Sequence, residues 1–213
     1  MRIKLLVLPL ILAFGAYGQE GLRGLVKLDF QVPQPTSNKA FKESFTGIMD
    51  LSGSLCLSIR GFNFGGFYRY KQFQVQANKI ANITTVQMVN GAGLRLGYDH
   101  WISDKSIFSS SINIGYNWIS YNRVSCQGHA PAPFKETGIS LEPNANIYFL
   151  IDDGFGIGLM ASYHVLTYAF DPAPICLDQF HTYNDSDKQG LTQGFSFGFC
   201  VYYDLAREAS SDY

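Results

Sequence analysis

Charge is scarce in this sequence. Lys plus Arg number 16 and Asp plus Glu 17 in 213 residues, so 15% of the chain is charged. Soluble domains usually carry about 25%. A net charge of −1 and a pI near 6.4 leave no basic excess, which argues against a nucleic-acid binder. Long apolar runs are lacking too. From Gln19 onward Gly, Ser, Asn or charge breaks every apolar stretch within a few residues, which excludes a helical membrane protein. There is no helical hydrophobic period and no repeat of about 20–50 residues. Aromatics, by contrast, make up 15% and glycines number 21, which argues against a disordered chain. Mean hydropathy is +0.00, too high for an ordinary charged surface and too low for a helical membrane bundle.

The N-terminus has the plan of a secretory signal peptide. Arg2 and Lys4 precede an uncharged stretch from Leu5 to Phe14, and Ala16-Tyr17-Gly18 offers small residues for cleavage. The run is too short for a spanning helix. We expect residues 1–18 to be removed and the mature protein to leave the cytoplasm.

The rest of the chain alternates with period two, the signature of strands with one apolar face. Eight segments do so: Leu22 to Val32, Phe45 to Leu57, Phe62 to Gln76, Val86 to Trp101, Ile107 to Val124, Ile139 to Ile151, Phe155 to Phe170 and Leu191 to Leu205. In the third the pattern inverts after Lys71, as a bulge or a stretch beyond a membrane would require. Short turns (Ser58 to Gly61, Ile102 to Ser106, Asp152 to Gly154) alternate with long connections (Pro33 to Ser44, Ala77 to Thr85, Ser125 to Gly138, Asp171 to Gly190). Asp-Gly in the third turn is a strong hairpin signal. Short turns at one end and long loops at the other, over an even strand count, predict an eight-stranded antiparallel up-and-down β-barrel.

A soluble lipocalin-like ligand binder would alternate as well, with its apolar face inward. The polar face separates the two. A water-facing surface would be rich in charge, whereas this face is mostly Gly, Ser, Asn and Thr, which suit a crowded narrow lumen. Its sparse charges balance: Arg23, Lys27, Arg69, Lys71 and Arg95 against Asp29, Asp50, Asp99, Glu142 and Asp204. Buried charges must be paired, and a balanced set allows it. Aromatics gather near the ends of the apolar face, with Phe45, Tyr116, Trp118 and Phe195 towards the loops and Phe64, Tyr98, Phe149 and Tyr203 towards the turns. Such girdles mark bilayer interfaces.

The signal peptide ending near Gly18-Gln19, the eight strands and the segment Leu141-Glu-Pro-Asn-Ala-Asn-Ile-Tyr-Phe-Leu150 resemble the small outer-membrane β-barrel proteins of the Bacteroidota. These are the PorT-like or outer-membrane β-barrel domain family, similar in architecture to the membrane domain of OmpA and to OmpX. The resemblance implies residues 19–205 as barrel, the outer membrane as location, and a non-enzymatic structural or surface-interaction role or an accessory role in envelope secretion or assembly. Residues 206–213 form a polar tail that departs from barrels ending on an aromatic strand residue.

Other readings carry their own residues. The lumen charges would line a narrow pore or transporter component. Ser162 and His164, with Glu142 or Asp204 as the acid, would serve a lipid A deacylase-like hydrolase, which also needs an oxyanion hole; but both side chains point to the polar face, away from a lipid substrate, and the deacylase motif is not matched. Cys126 and Cys176 lie in two long loops at the same end, and in an exported protein they predict a disulfide over a zinc site with His129 and His181. Cys56 and Cys200 face the lumen on strands too far apart to bridge. No cofactor or metal is expected. The expected partners are outer-membrane lipid and envelope proteins met through the long loops, among them the loop with Asp178, Phe180, Tyr183, Asp185 and Asp187.

Overall fold

The computed structural model describes residues 21–76, 85–122, 134–152, 154–179 and 181–206. Its strands are β1 (Leu22–Pro35), β2 (Phe45–Ile59), β3 (Phe62–Val75), β4 (Val86–Ser103), β5 (Ser106–Asn122), β6 (Phe134–Leu150), β7 (Phe155–Leu166) and β8 (Thr192–Asp204). Each pairs antiparallel with the next, and β8 returns to β1 to close the barrel. Closure leaves no sheet edge with unpaired backbone groups.

The strand limits differ from the sequence reading in places. β6 starts at Phe134, so residues 134–138, read as loop, belong to the wall. β7 ends at Leu166, yet burial still alternates to Phe170, with Tyr168 and Phe170 inside and Thr167 and Ala169 outside. Helices α1 (Lys39–Ser44) and α2 (Asp185–Lys188) escaped the reading because they are too short to show a period. No helix among the described residues is long and apolar enough to cross a membrane. The β2–β3 turn is two residues, Arg60 at φ 50° and Gly61 at φ 90°. Two positive φ values characterise the primed turn that matches strand twist.

Along most of the wall large apolar residues point out. Leu55, Leu94, Phe197 and Phe199 are each more than half exposed, while Lys27, Asp50, Arg95 and Glu142 on the inner face are 0–1% exposed. Near the loop end this relation reverses. On β3 the side chains of Arg69, Lys71, Phe73 and Val75 all point inward, so the inversion after Lys71 is one of chemistry and the strand does not slip. The bulge lies across from it on β2, where the pairing with β3 shifts between Gly47 and Met49. One extra residue swaps the faces of a strand, and Phe45 is thereby turned inside, at 1% exposure. Its expected place in the outer girdle is corrected. Tyr116, Trp118, Phe195, Phe64, Tyr98 and Phe149 do lie on the outer face.

Candidate functional site: a charged lumen between two apolar plugs

The lumen is layered. At the turn end Arg23 Nη1 lies 3.3 Å from Asp204 Oδ2, with the arginine side chain 36% exposed. Above it Leu25, Cys56, Ile107, Tyr148, Met160, Cys200 and Tyr202 form a buried apolar cluster, flanked by Trp101 and Leu150. Lys27 threads this lower plug. Its ammonium donates to Asp99 Oδ1 at 2.7 Å and to Ser109 Oγ at 3.1 Å, and lies 5.8 and 5.7 Å from the ring centres of Tyr148 and Tyr202. Cation–π attraction adds to the ion pair there.

In the next layer Arg95 Nη1 lies 3.2 Å from Asp29 Oδ2, which also accepts from Ser52 Oγ at 2.7 Å. Higher still is a quartet. Asp50 and Lys71 are directly paired residues on β2 and β3, and Ser52 and Arg69 sit one inward step below. Lys71 Nζ is 3.2 Å from Asp50 Oδ2 and 3.3 Å from Glu142 Oε2. Arg69 reaches both acids, through Nε to Asp50 Oδ1 at 3.0 Å and through Nη1 to Glu142 Oε2. Ser196 Oγ donates to Asp50 at 3.2 Å. All ten charges read from the polar face therefore lie in the lumen or at its mouth, and each has an opposite partner.

The upper plug closes the loop end. Phe41 on α1, Phe45, Phe73, Val89, Ile119, Tyr121, Tyr168, Phe170 and Tyr183 belong to one buried cluster. Phe41 packs against Phe45, Phe73 and Phe170 with ring centres 5.1–5.4 Å apart. Fully burying each such ring stabilises by about 1.5–3 kcal/mol. The fourth long loop is folded down as part of this lid: Tyr183 is 9% and Asp187 8% exposed. Burial pushes the Tyr183 phenol pKa up. Its hydroxyl is 2.7 Å from Ser44 Oγ. Asn38, at φ 54°, clasps helix and loop. Its Oδ1 accepts from Phe41 N, and its Nδ2 donates to the carbonyls of Phe170, Lys188 and Gly190 at 3.1–3.3 Å. Lys39 Nζ adds an ion pair to Asp187 Oδ1 at 3.0 Å.

The sequence reading missed most of the two plugs. The signal was present in Leu25, Ile107, Ile119 and Tyr121, apolar residues at the ends of otherwise polar inward faces.

Ser162 and His164 are both buried in the lumen. Ser162 Oγ donates to Gln31 Oε1 at 3.0 Å. The His164 ring lies against Gly194, where a Cβ would come within 2.3 Å of its Cε1. Cys56 and Cys200 are free thiols. They sit opposite Leu25 and Asp29, four residues apart along β1. Cys176 is buried and disulfide-bonded. Cys126, its expected partner, and His129 lie outside the described residues, as does Phe180. No group of three or more metal-ligating side chains occurs among the described residues.

No protein-family model matches the chain, and no curated protein matches it. Solved structures do. Neisserial surface protein A is 13% identical, over 86% of this chain and 99% of that one, with a TM-score of 0.55. The attachment invasion locus protein Ail of Yersinia pestis, in complex with the heparin analogue sucrose octasulfate, is 11% identical over 88% and 100%, with a TM-score of 0.47. The N-terminal β-barrel domain of Pseudomonas aeruginosa OprF is 8% identical over 87% and 100%, with a TM-score of 0.46. With its closed antiparallel wall and the match to neisserial surface protein A, the chain has the fold of the small eight-stranded outer-membrane β-barrels.

Proposed function

We propose that the protein is a non-enzymatic, non-conducting barrel of the outer membrane that holds an ordered head at the cell surface. The observation that carries this is the pair of plugs. A pore needs a continuous polar path, and here paired charges are sealed above and below by buried apolar side chains.

The outer face supports a membrane setting. Three tyrosines near the loop end each donate to a neighbouring amide: Tyr68 to Asn90, Tyr70 to Gln72 and Tyr163 to Gln193. Amphipathic rings of this kind belong at an interface. From Phe62 to Tyr70, strand rise and tilt give a height of roughly 20 Å, near the ~25 Å apolar band of such barrels. Above it the wall turns inside out, apolar within and polar without, as a stretch standing in water requires. Within this reading the head serves surface interaction or an envelope secretion or assembly system, the role a PorT-like resemblance implies.

The hydrolase reading draws no support from the geometry, because Ser162 bonds Gln31 and both it and His164 are enclosed. The test is planar-bilayer conductance of protein whose folding is verified by heat-modifiable gel mobility. Folded protein should give no current above leak; steady unit conductance would overturn the sealed-lumen reading.

A further inference from the structure

One acid lies where the barrel wall meets the lid. Glu136 on β6 pairs with Ile119, one step above the girdle residue Trp118 and its partner Thr137. Its neighbours Lys135 and Thr137 point outward, exposed and polar, as in a stretch of wall that clears the apolar band. Glu136 itself turns toward the upper plug and is half-buried. Its Oε2 is buried and accepts no hydrogen bond. The segment after β7 runs beside it. Thr167 N donates to Ile139 O at 2.9 Å, and a Cβ on Gly138 would come 3.3 Å from Tyr168 Cβ. Continued antiparallel, that run brings Phe170 level with Glu136 and Asp171 next to it. Asp171 is the root of the lid. Its Oδ1 accepts from Ala173 N at 3.1 Å, which starts the turn that carries Ile175 and Leu177 into the plug.

Among the described residues, the titratable groups that face Glu136 are Tyr121 from β5, Tyr168 from the run after β7 and Asp171 from the lid, and none is a base. The two phenol oxygens lie 2.8 Å apart, and Gln87 Nε2 on β4 donates to Tyr121 at 2.6 Å. Burial pushes both phenols up, so they stay neutral. A carboxylate with a bare oxygen in an aromatic cluster, facing a second carboxylate, is disfavoured while both are charged. We infer that Glu136 and Asp171 form a pH-operated latch: protonation of Glu136 holds the lid, residues 171–190, against the barrel, and its ionisation loosens it. Burial first, and then the Asp171 carboxylate, push the Glu136 carboxyl up from 4.5 to about 7. An acid raised in the closed head favours the closed form while protonated, and that contribution is lost as pH rises through the raised value. The inference rests on the ordered-head reading.

The test follows cleavage within residues 171–190 by proteinase K from about pH 5.5 to about pH 8.5, on protein folded in vesicles, as a ratio to Glu136→Gln at each pH. That variant stands for the protonated acid, and the ratio cancels the protease's own response to pH. Heat-modifiable mobility verifies the barrel of every variant. Wild-type cleavage should rise roughly tenfold or more relative to Glu136→Gln across the range, and level off above about 7. Asp171→Asn keeps an oxygen for the cap on Ala173 and should lower the half-point by removing the repulsion. His181→Gln, elsewhere on the lid, should leave it unchanged. A flat ratio overturns the latch, as does a rise that His181→Gln removes. An unmoved half-point in Asp171→Asn overturns the part given to Asp171. Failure of the ordered-head reading shows separately, as rapid cleavage of wild type and Glu136→Gln alike at every pH.

Discussion

Gly47 lies against Pro33 so closely that a Cβ on Gly47 would fall 1.7 Å from the Pro33 carbonyl oxygen. No side chain fits there without moving backbone. The contact sits at the β2 bulge that turns Phe45 into the upper plug. Gly47→Ala should therefore destabilise the barrel by about 2 kcal/mol or more, read as a lower midpoint of heat- or urea-induced unfolding. Gly53→Ala is the control: its Cβ would meet only Leu28 Cδ2, at 3.4 Å, and the midpoint should hardly move.

The charged layers should respond unequally. Glu142→Gln leaves Arg69 and Lys71 with Asp50 as their one remaining acid, in a sealed lumen. Breaking a buried pair in this way costs about 3–5 kcal/mol. Arg23→Gln breaks a pair whose arginine is 36% exposed, and such pairs are worth about 1 kcal/mol or less. The unfolding midpoints of the two variants give the comparison. Equal shifts would argue against a dry upper lumen.

Asn38 is the clasp of the head, and Asn38→Ala removes both the helix cap and the bonds to three carbonyls. The loss should be about 1–2 kcal/mol and local to the head. Limited proteolysis should cut residues 171–190 faster while the heat-modifiable barrel survives. Unchanged cleavage would show that the aromatic cluster alone holds the loop.

The Lys39–Asp187 pair predicts a pH window for that clasp. The hydrogen bond from Lys39 holds the Asp187 carboxyl below its ordinary range, and the same bond raises the Lys39 ammonium. A depressed acid contributes above its unfolded value and loses that contribution as pH falls through the folded one. A raised base contributes below its unfolded value and loses it as pH rises through the folded one. In the Glu136→Gln background, resistance of the head to proteolysis should be flat across neutral pH and fall at both extremes. Asp187→Asn should remove the dependence at the acid end.

Cys126 and Cys176 are proposed to form a disulfide tying the third and fourth long loops. Alkylation of unfolded, unreduced protein should label two of the four cysteines, Cys56 and Cys200, the free thiols. Reduction should then expose two more. Four labels without reduction would end the proposal.

Much of this architecture was legible because period two is a local property. Backbone geometry sends alternate side chains to opposite faces, so the strands, the lumen charges and the outer apolar face could be read from spacing alone. The plugs could not. Phe41 and Tyr183 lie in segments without strand periodicity, and Phe45 reads as an outward residue until the bulge is known.

By itself the sequence determined which residues share a face and that the acids and bases on the polar face balance. Only the closed barrel decided the partners. Arg95 meets Asp29 and Arg69 meets Glu142 across the lumen, at separations of 66 and 73 residues. Alternation says whether a side chain points in. The height and direction at which it enters follow from strand stagger and closure, and those decide which charge it finds and which end the aromatics seal.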